Sequence, residues 1–169
     1  LHDALPISVL KGLVEAMLRV RSVLVEEIAK LHKLVVAIVA RDELCRRFLR
    51  IPGVGPIAAL SFKTAIDDPA RFANAKIVGA YFGLTPKRHQ SGETDRQGAI
   101  SKMGDKAVRR ALYEAAHILL TKYRGKAAIK IWGEKLMKQK GHHKAAIAVA
   151  RRLALAMWAM WRDGTEFEL

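Results

Sequence analysis

Between Val9 and Leu49 the chain has no proline and one glycine, Gly12, while apolar residues recur at Leu10, Leu13, Met17, Val20, Leu24, Ile28, Leu31, Val35 and Ile38. The steps between them are 3, 4, 3, 4, 4, 3, 4 and 3, a heptad seam with one stutter where two fours meet. A helix of about forty residues is about 60 Å long, more than the diameter of a small domain. The ~120 residues that follow cannot cover such a rod, so the seam is expected to project and pair with a second copy. Residues 1–49 then form a coiled-coil-like dimerisation element and residues 50–169 a helical domain. The competing arrangement is two shorter core helices with a break between Arg41 and Glu43, for which the broad apolar run Leu34 to Ala40 argues.

At 169 residues the chain can bury one ordinary core plus an extended element. Thirty Lys and Arg against sixteen Asp and Glu give a formal charge of +14, spread along the chain. A field of that sign favours polyanions. One cysteine, Cys45, excludes an internal disulfide and an all-cysteine metal site. No apolar run reaches the ~18 residues of a membrane span and no signal peptide is recognisable, so no membrane partner and a cytoplasmic location are expected. The opening octet, Leu1 to Ser8, does not share the pattern that follows and reads as an expression or assembly scar. The long helix begins almost at once, as if something upstream had been removed.

Leu49 to Phe62 reads LRIPGVGPIAALSF, a helix end that meets Pro52-Gly53-Val54-Gly55-Pro56 and then a new apolar run. The pattern over residues 49–65 resembles a helix-hairpin-helix, in which Gly53 and Gly55 around a buried Val54 permit a tight turn. Backbone N–H groups of that turn and the following helix N-terminus can face a phosphate. Such a contact does not read base sequence. A plain corner between helices without a ligand is the alternative. Asp67-Asp68-Pro69 is a helix-start signature and is read as capping, not metal binding.

The stretch Gly83 to Leu112 holds four of the twelve glycines and loses helical periodicity between Thr85 and Asp105. Its seven basic residues (Lys87, Arg88, Arg96, Lys102, Lys106, Arg109, Arg110) face three acidic ones, with His89 besides. A loop this long inside a domain is functional or disordered, and pattern alone leaves open whether parts of residues 83–105 pair as a β-hairpin. Gln90-Ser91-Gly92 sets a hydroxyl beside a residue that lets backbone approach a ligand. Asp105 should cap a helix to about Tyr123. Cations in that helix's first turns oppose its macrodipole, which suggests a demand for positive potential. Gly125 and Gly141 bracket a further helix, and a last one spans roughly His142 to Asp163, with Trp158 and Trp161 on one core-facing side. His142-His143 makes a poor metal pair because adjacent helical positions point apart. The fold expected is mainly α, a long coiled-coil-like helix followed by a compact helical domain with a basic glycine-rich loop.

Taken in order, IPGVGP, DDPARFANA, AYFGLTP, HQSG, GAISKMGDKAVRRAL and AIAVARRLALAMWAMWRDGTEF resemble the C-terminal half of the DEDD/serine transposases of the IS-one-ten type, over nearly everything after residue 10. That resemblance implies a coiled coil and a serine-bearing transposase domain, preceded in the family by a RuvC-like domain with four metal-binding acidic residues, and a bridge RNA that guides target choice. The family's serine falls on Ser91, with Ser101 as the runner-up. The acidic residues before Pro52 lie in or before a helix, so no RuvC-like domain is recognisable and the chain reads as a fragment, inactive alone. No cofactor is expected on it. Mg2+ would belong to the acidic domain.

A serine attacking a phosphodiester needs a proton acceptor or strong electrostatic help. Arg88, Arg96, Lys102 and Arg109 are candidates for the latter; His89 could accept a proton, and the base stays unassigned. The DNA-contact set is Gly53, Val54, Gly55, Lys87, Arg88, Lys102, Lys106, Arg109 and Arg110. Expected partners are DNA, a guide RNA in the full-length protein and a second copy through the N-terminal helix, in a nucleoid-associated prokaryotic setting. A non-catalytic DNA-binding module and an assembly module are the rival readings.

Overall fold

The computed structural model describes residues 7–91 and 94–167; for Ser8 and residues 88–91 and 94–97 the description is of backbone alone. The described residues are mainly helical, with seven α-helices and one two-stranded sheet. None of these helices is long and apolar enough to cross a membrane.

Helix α1 runs Ile7–Arg41, 35 residues, about 52 Å at 1.5 Å per residue. It stops at Arg41 instead of continuing to Leu49, because Asp42 leaves the helical region (φ −97°, ψ 116°) and caps a second helix, α2 (Glu43–Phe48), by accepting the Cys45 N–H at 2.9 Å. A short polar side chain that bonds forward to the backbone favours a restart over continuation. The break lies where the competing arrangement put it, yet the helix before it is still long. The chain divides into two compact units between Ile38 and Val39, not between residues 49 and 50. The physical reason is burial: Val39, Cys45 and Phe48 are at most 1% exposed and belong to the second unit's core. In the first unit the seam is uncovered in this chain, with Met17, Leu24 and Leu31 more than half exposed.

The second unit is built around the C-terminal helix α7 (His142–Asp163), whose Val149, Leu153, Met157 and Trp158 are fully buried. It packs against α4 (Ala75–Tyr81), α5 (Lys106–Thr121) and α6 (Ala128–Lys140). Small residues Ala145, Ala146, Ala150 and Ala154 let these neighbours come close. Trp158 donates its indole N–H to the Pro69 carbonyl at 3.1 Å, tying α7 to the 3-10 turn Pro69–Arg71. Asp68 caps that turn, as the Asp-Asp-Pro signature implies. Trp161 is half-buried at the edge, its ring 6.5 Å from Phe48. Phe48, Phe62 and Phe82 continue an aromatic cluster at centroid spacings of 5.7 and 5.5 Å, linking α2, α3 (Pro56–Ile66) and the end of α4.

Candidate nucleic-acid interface

Two features are held against α5, a corner docked on its C-terminal half at Ala115 and Leu119 and a hairpin pinned at its N-terminal end. The first is the corner between α2 and α3. Ile51 and Val54 turn inward, at 1% and 6% exposure, and the Val54 N–H closes the turn onto the Ile51 carbonyl at 3.0 Å. Gly53 has φ +87°, and a Cβ there would collide with the Ala115 carbonyl of α5, so this glycine lets the corner dock on that helix. Gly55 has open space around its α-carbon and caps α3 with no side-chain acceptor. Pro56 has no N–H and the Ala59 N–H donates to the Gly55 carbonyl, so the Ile57 and Ala58 N–H groups keep their donor capacity. Beside them lies a cavity of about 360 Å³ lined by Gly55, Ile57, Arg110, Glu114 and Ile118 among others. Of the glycine-valine-glycine trio, Gly55 thus opens to the surface while Val54 and the Gly53 α-carbon serve packing.

The second is a hairpin. Strands β1 (Pro86–Ser91) and β2 (Thr94–Ile100) pair antiparallel, with Arg88 opposite Gln97, His89 opposite Arg96 and Ser91 opposite Thr94. The register slips by one residue between Pro86 and Arg88, where β2 carries Gly98. Ser91 is therefore the last residue of β1 before the two-residue connection, and Ser101 is at the opposite end, donating its N–H to the Thr85 carbonyl at 2.8 Å. The ladder puts the two candidate serines about 20 Å apart along the strands, at ~3.3 Å per residue. Gly92, Glu93 and the side chains of Arg88, His89, Ser91 and Arg96 lie outside what the structure describes.

The foot of this hairpin is tightly made. Gly83 (φ +66°) and Gly104 (φ +90°) cross so closely that a Cβ on either would strike the other segment's backbone, Met103 and Tyr81 respectively. Arg109, half-buried, donates from Nη1 to the Phe82 carbonyl at 3.2 Å and the Gly104 carbonyl at 3.4 Å. It binds entry and exit of the hairpin together, so its guanidinium is engaged by carbonyls as well as being a nearby positive charge. Sequence reading named Arg109 only as a cation; the glycines at both ends of the loop were the signal for a pinched foot. Lys102 adopts φ +55°, a costly conformation for a residue with a Cβ. Asp105 caps α5 through the N–H groups of Ala107 and Val108 at 2.6 and 3.0 Å. Lys87, Lys102, Lys106 and Arg110 are exposed around this foot.

Residues 45–130, from the buried Cys45 through the corner and the hairpin to α6, match the Transposase IS116/IS110/IS902 family. The chain belongs to this family. It is 33% identical over 125 residues to the transposase for insertion sequence element IS1111A of Coxiella burnetii, covering 73% of this chain and 34% of that protein. It is 29% identical over 145 residues to the transposase for insertion sequence element IS1328 of Yersinia enterocolitica, covering 85% and 43%. A pilin gene-inverting protein of Moraxella bovis is 35% identical over 121 residues, covering 70% of this chain and 37% of the relative. The chain thus spans between a third and a half of the length of these family members.

Within this transposase-family chain the histidines near α7 engage a tyrosine and one another. His143 Nδ1 lies 3.1 Å from the Tyr113 hydroxyl, and the His117 and His142 rings meet edge-on at 5.0 Å. Among the described residues no three His, Cys, Asp or Glu side chains converge as ligands would.

Proposed function

We propose that this chain is the DNA-gripping and strand-exchanging part of a transposase, in which Ser91 is the nucleophile. The observation that carries the reading is the hairpin register, which puts the serine of HQSG at the end of a ladder whose foot is pinned and ringed with exposed cations. A hydroxyl at a hairpin tip can reach a phosphodiester held outside its own domain. The Ser91 Oγ would attack phosphorus and form a phosphoserine ester. The deoxyribose oxygen would leave as a hydroxyl, taking up a proton, while the serine proton passes to a base yet to be assigned. Attack by a second DNA hydroxyl would reverse these bonds, release the serine and join new strands. Cations preorganised around the hairpin would stabilise the charge that builds on the phosphoryl oxygens.

The corner at Gly55 and the α3 N-terminus, read as a helix-hairpin-helix, would hold one backbone phosphate with Arg110 alongside. Mg2+ finds no fitting ligand set among the described residues, so no step is routed through it here; the metal would come with an acidic domain, and a guide RNA with the full-length protein. The uncovered α1 seam favours pairing with a second copy. Leu24→Glu with Leu31→Glu should yield monomers in sedimentation, and a wild-type chain that sediments as a monomer at high concentration would refute that pairing.

The test of the central claim is a full-length relative built around this domain. Ser91→Ala should abolish the covalent DNA adduct and strand transfer, with DNA binding and the thermal melt unchanged. Ser101→Ala should keep the adduct. Loss only in the Ser101 variant would move the nucleophile there, and adducts in both would sink the serine mechanism. Binding by the chain itself should fall steeply with salt as counterions are released, and a flat salt response would remove the phosphate grip.

A further inference from the structure

We propose that the outer face of the α6–α7 pair is a second nucleic-acid site, one that holds an unpaired strand through its phosphates and stacks a base on Trp132. Between Ala128 and Arg152 there are seven Lys or Arg and one acidic residue, Glu134. Glu134 is engaged by Lys130 at 3.4 Å and is not fully exposed, whereas Lys135, Lys138, Lys140, Lys144 and Arg152 all are. Among the described residues none of these five is held in an ion pair. Lys138 and Lys140 suit the last turn of α6, where cations complement the helix dipole. Lys144 has no such reason: it occupies the first turn of α7, which contains no acidic residue, and there it opposes the dipole.

The apolar part of the face points the same way. Ile131 and Trp132 are 44% and 37% exposed although their neighbour Gly133 is buried. Gly133 fixes the arrangement, since a Cβ there would lie 2.7 Å from Val149 and 2.8 Å from Leu120, so α6 seats closely and turns Trp132 outward. The Arg152 guanidinium stands 4.6 Å from the Trp132 ring centroid. A partly exposed indole beside a stacked guanidinium, set among lysines, is the composition of a base-stacking platform in a positive groove. A duplex hides its base faces, so stacking on Trp132 selects unpaired bases.

This face is separate from the hairpin foot. Gly133 packs at Leu120, near the C-terminal end of α5, while Arg109 and Asp105 hold the hairpin at its N-terminal end. Fifteen residues of helix separate those ends, about 22 Å, well beyond the ~8 Å over which salt screens charge in the cell. The proposal does not depend on serine chemistry.

The experiment titrates the whole chain with a labelled 20-nucleotide oligothymidylate and with a 20-base-pair DNA duplex at several salt concentrations. Trp132→Leu should weaken the oligothymidylate about tenfold, as loss of one stacked base does, and leave the duplex within twofold. Lys135→Glu with Arg152→Glu should weaken the oligothymidylate and lower its salt slope by about 1.4, two phosphate contacts on a single strand. Lys106→Glu with Arg110→Glu, at the other end of α5, should weaken the duplex more than the oligothymidylate. Should Trp132→Leu melt early, Trp132→Tyr retains a stacking ring and should bind within threefold of wild type, with the charge-reversal pair carrying the test. Equal losses for both ligands in Trp132→Leu would overturn the stacking platform. Wild-type oligothymidylate binding in the charge-reversed variant would overturn the site, leaving a solvated basic face.

Discussion

Helices α1 and α7 are the two longest in the chain and are similarly rich in apolar residues, yet they meet opposite fates. In α7, at 22 residues, nine are buried; in α1, at 35 residues, Val39 alone among the described residues is buried. The difference lies in the small residues. Alanines on α7 let three helices reach its backbone, whereas the α1 seam consists of long or branched side chains at heptad spacing, the pattern of a coiled-coil seam, and these side chains stay exposed in this chain. Apolar content sets how much surface seeks cover; spacing and side-chain size set what can cover it.

The sharpest way to break this comparison is to truncate both helices. Trp158→Ala should cost about 3–5 kcal/mol through its cavity and lost contacts, at any protein concentration. Leu24→Ala should cost under ~0.5 kcal/mol in dilute solution, as exposed sites do. Urea melts at two concentrations check both. A concentration-dependent cost at Leu24 would reveal a covered seam, and a large concentration-independent cost would show that α1 packs within its own chain.

Glycine substitutions sharpen it further, because they should differ in sign. Gly53→Ala meets a positive φ and the Ala115 carbonyl together, so a loss of about 3 kcal/mol is expected in thermal melts. Gly12 lies inside α1 with nothing within 4 Å of a would-be Cβ. Gly12→Ala should raise helicity by circular dichroism and stabilise α1 by about 1 kcal/mol. A destabilised Gly12→Ala would mean that another surface approaches α1 closely.

These contrasts also explain what could be read from the sequence. The helices after residue 105 were legible, since Asp105, Gly141 and the 3.6-residue apolar period are local signals; the last helix spans His142–Asp163 in both readings. The end of α1 was not, because the apolar pattern continues through Cys45 and Phe48 and only the Asp42 side chain decides for a restart. The hairpin was legible as a loop of charge and glycine, but its pairing depends on a foot made by residues distant in sequence, Phe82, Gly104 and Arg109. Trp132 went unnoticed because exposure is a tertiary property, and nothing local separates it from Trp158.

The smallest expected effect concerns the break between α1 and α2. Asp42 caps α2 and forms an ion pair with Lys63 of α3. Burial pushes its carboxyl pKa up, but the Lys63 ammonium and the Cys45 N–H outweigh that and leave it below the ordinary value of 3.8. A folded-state pKa below the unfolded one makes the charged form stabilising above about pH 4, and that contribution is lost as pH falls through the folded value. Asp42→Asn keeps a capping oxygen but removes the charge. Its cost at pH 7 should be no more than ~1 kcal/mol, since the pair is partly exposed. The difference from wild type should begin to shrink below pH 3.8 and go on shrinking as pH falls toward the lower folded-state value. Paired urea melts at pH 7 and pH 3 measure it. A gap that stays the same in acid would mean that Asp42 acts through its shape and hydrogen bonds alone, and that the helix break owes nothing to charge.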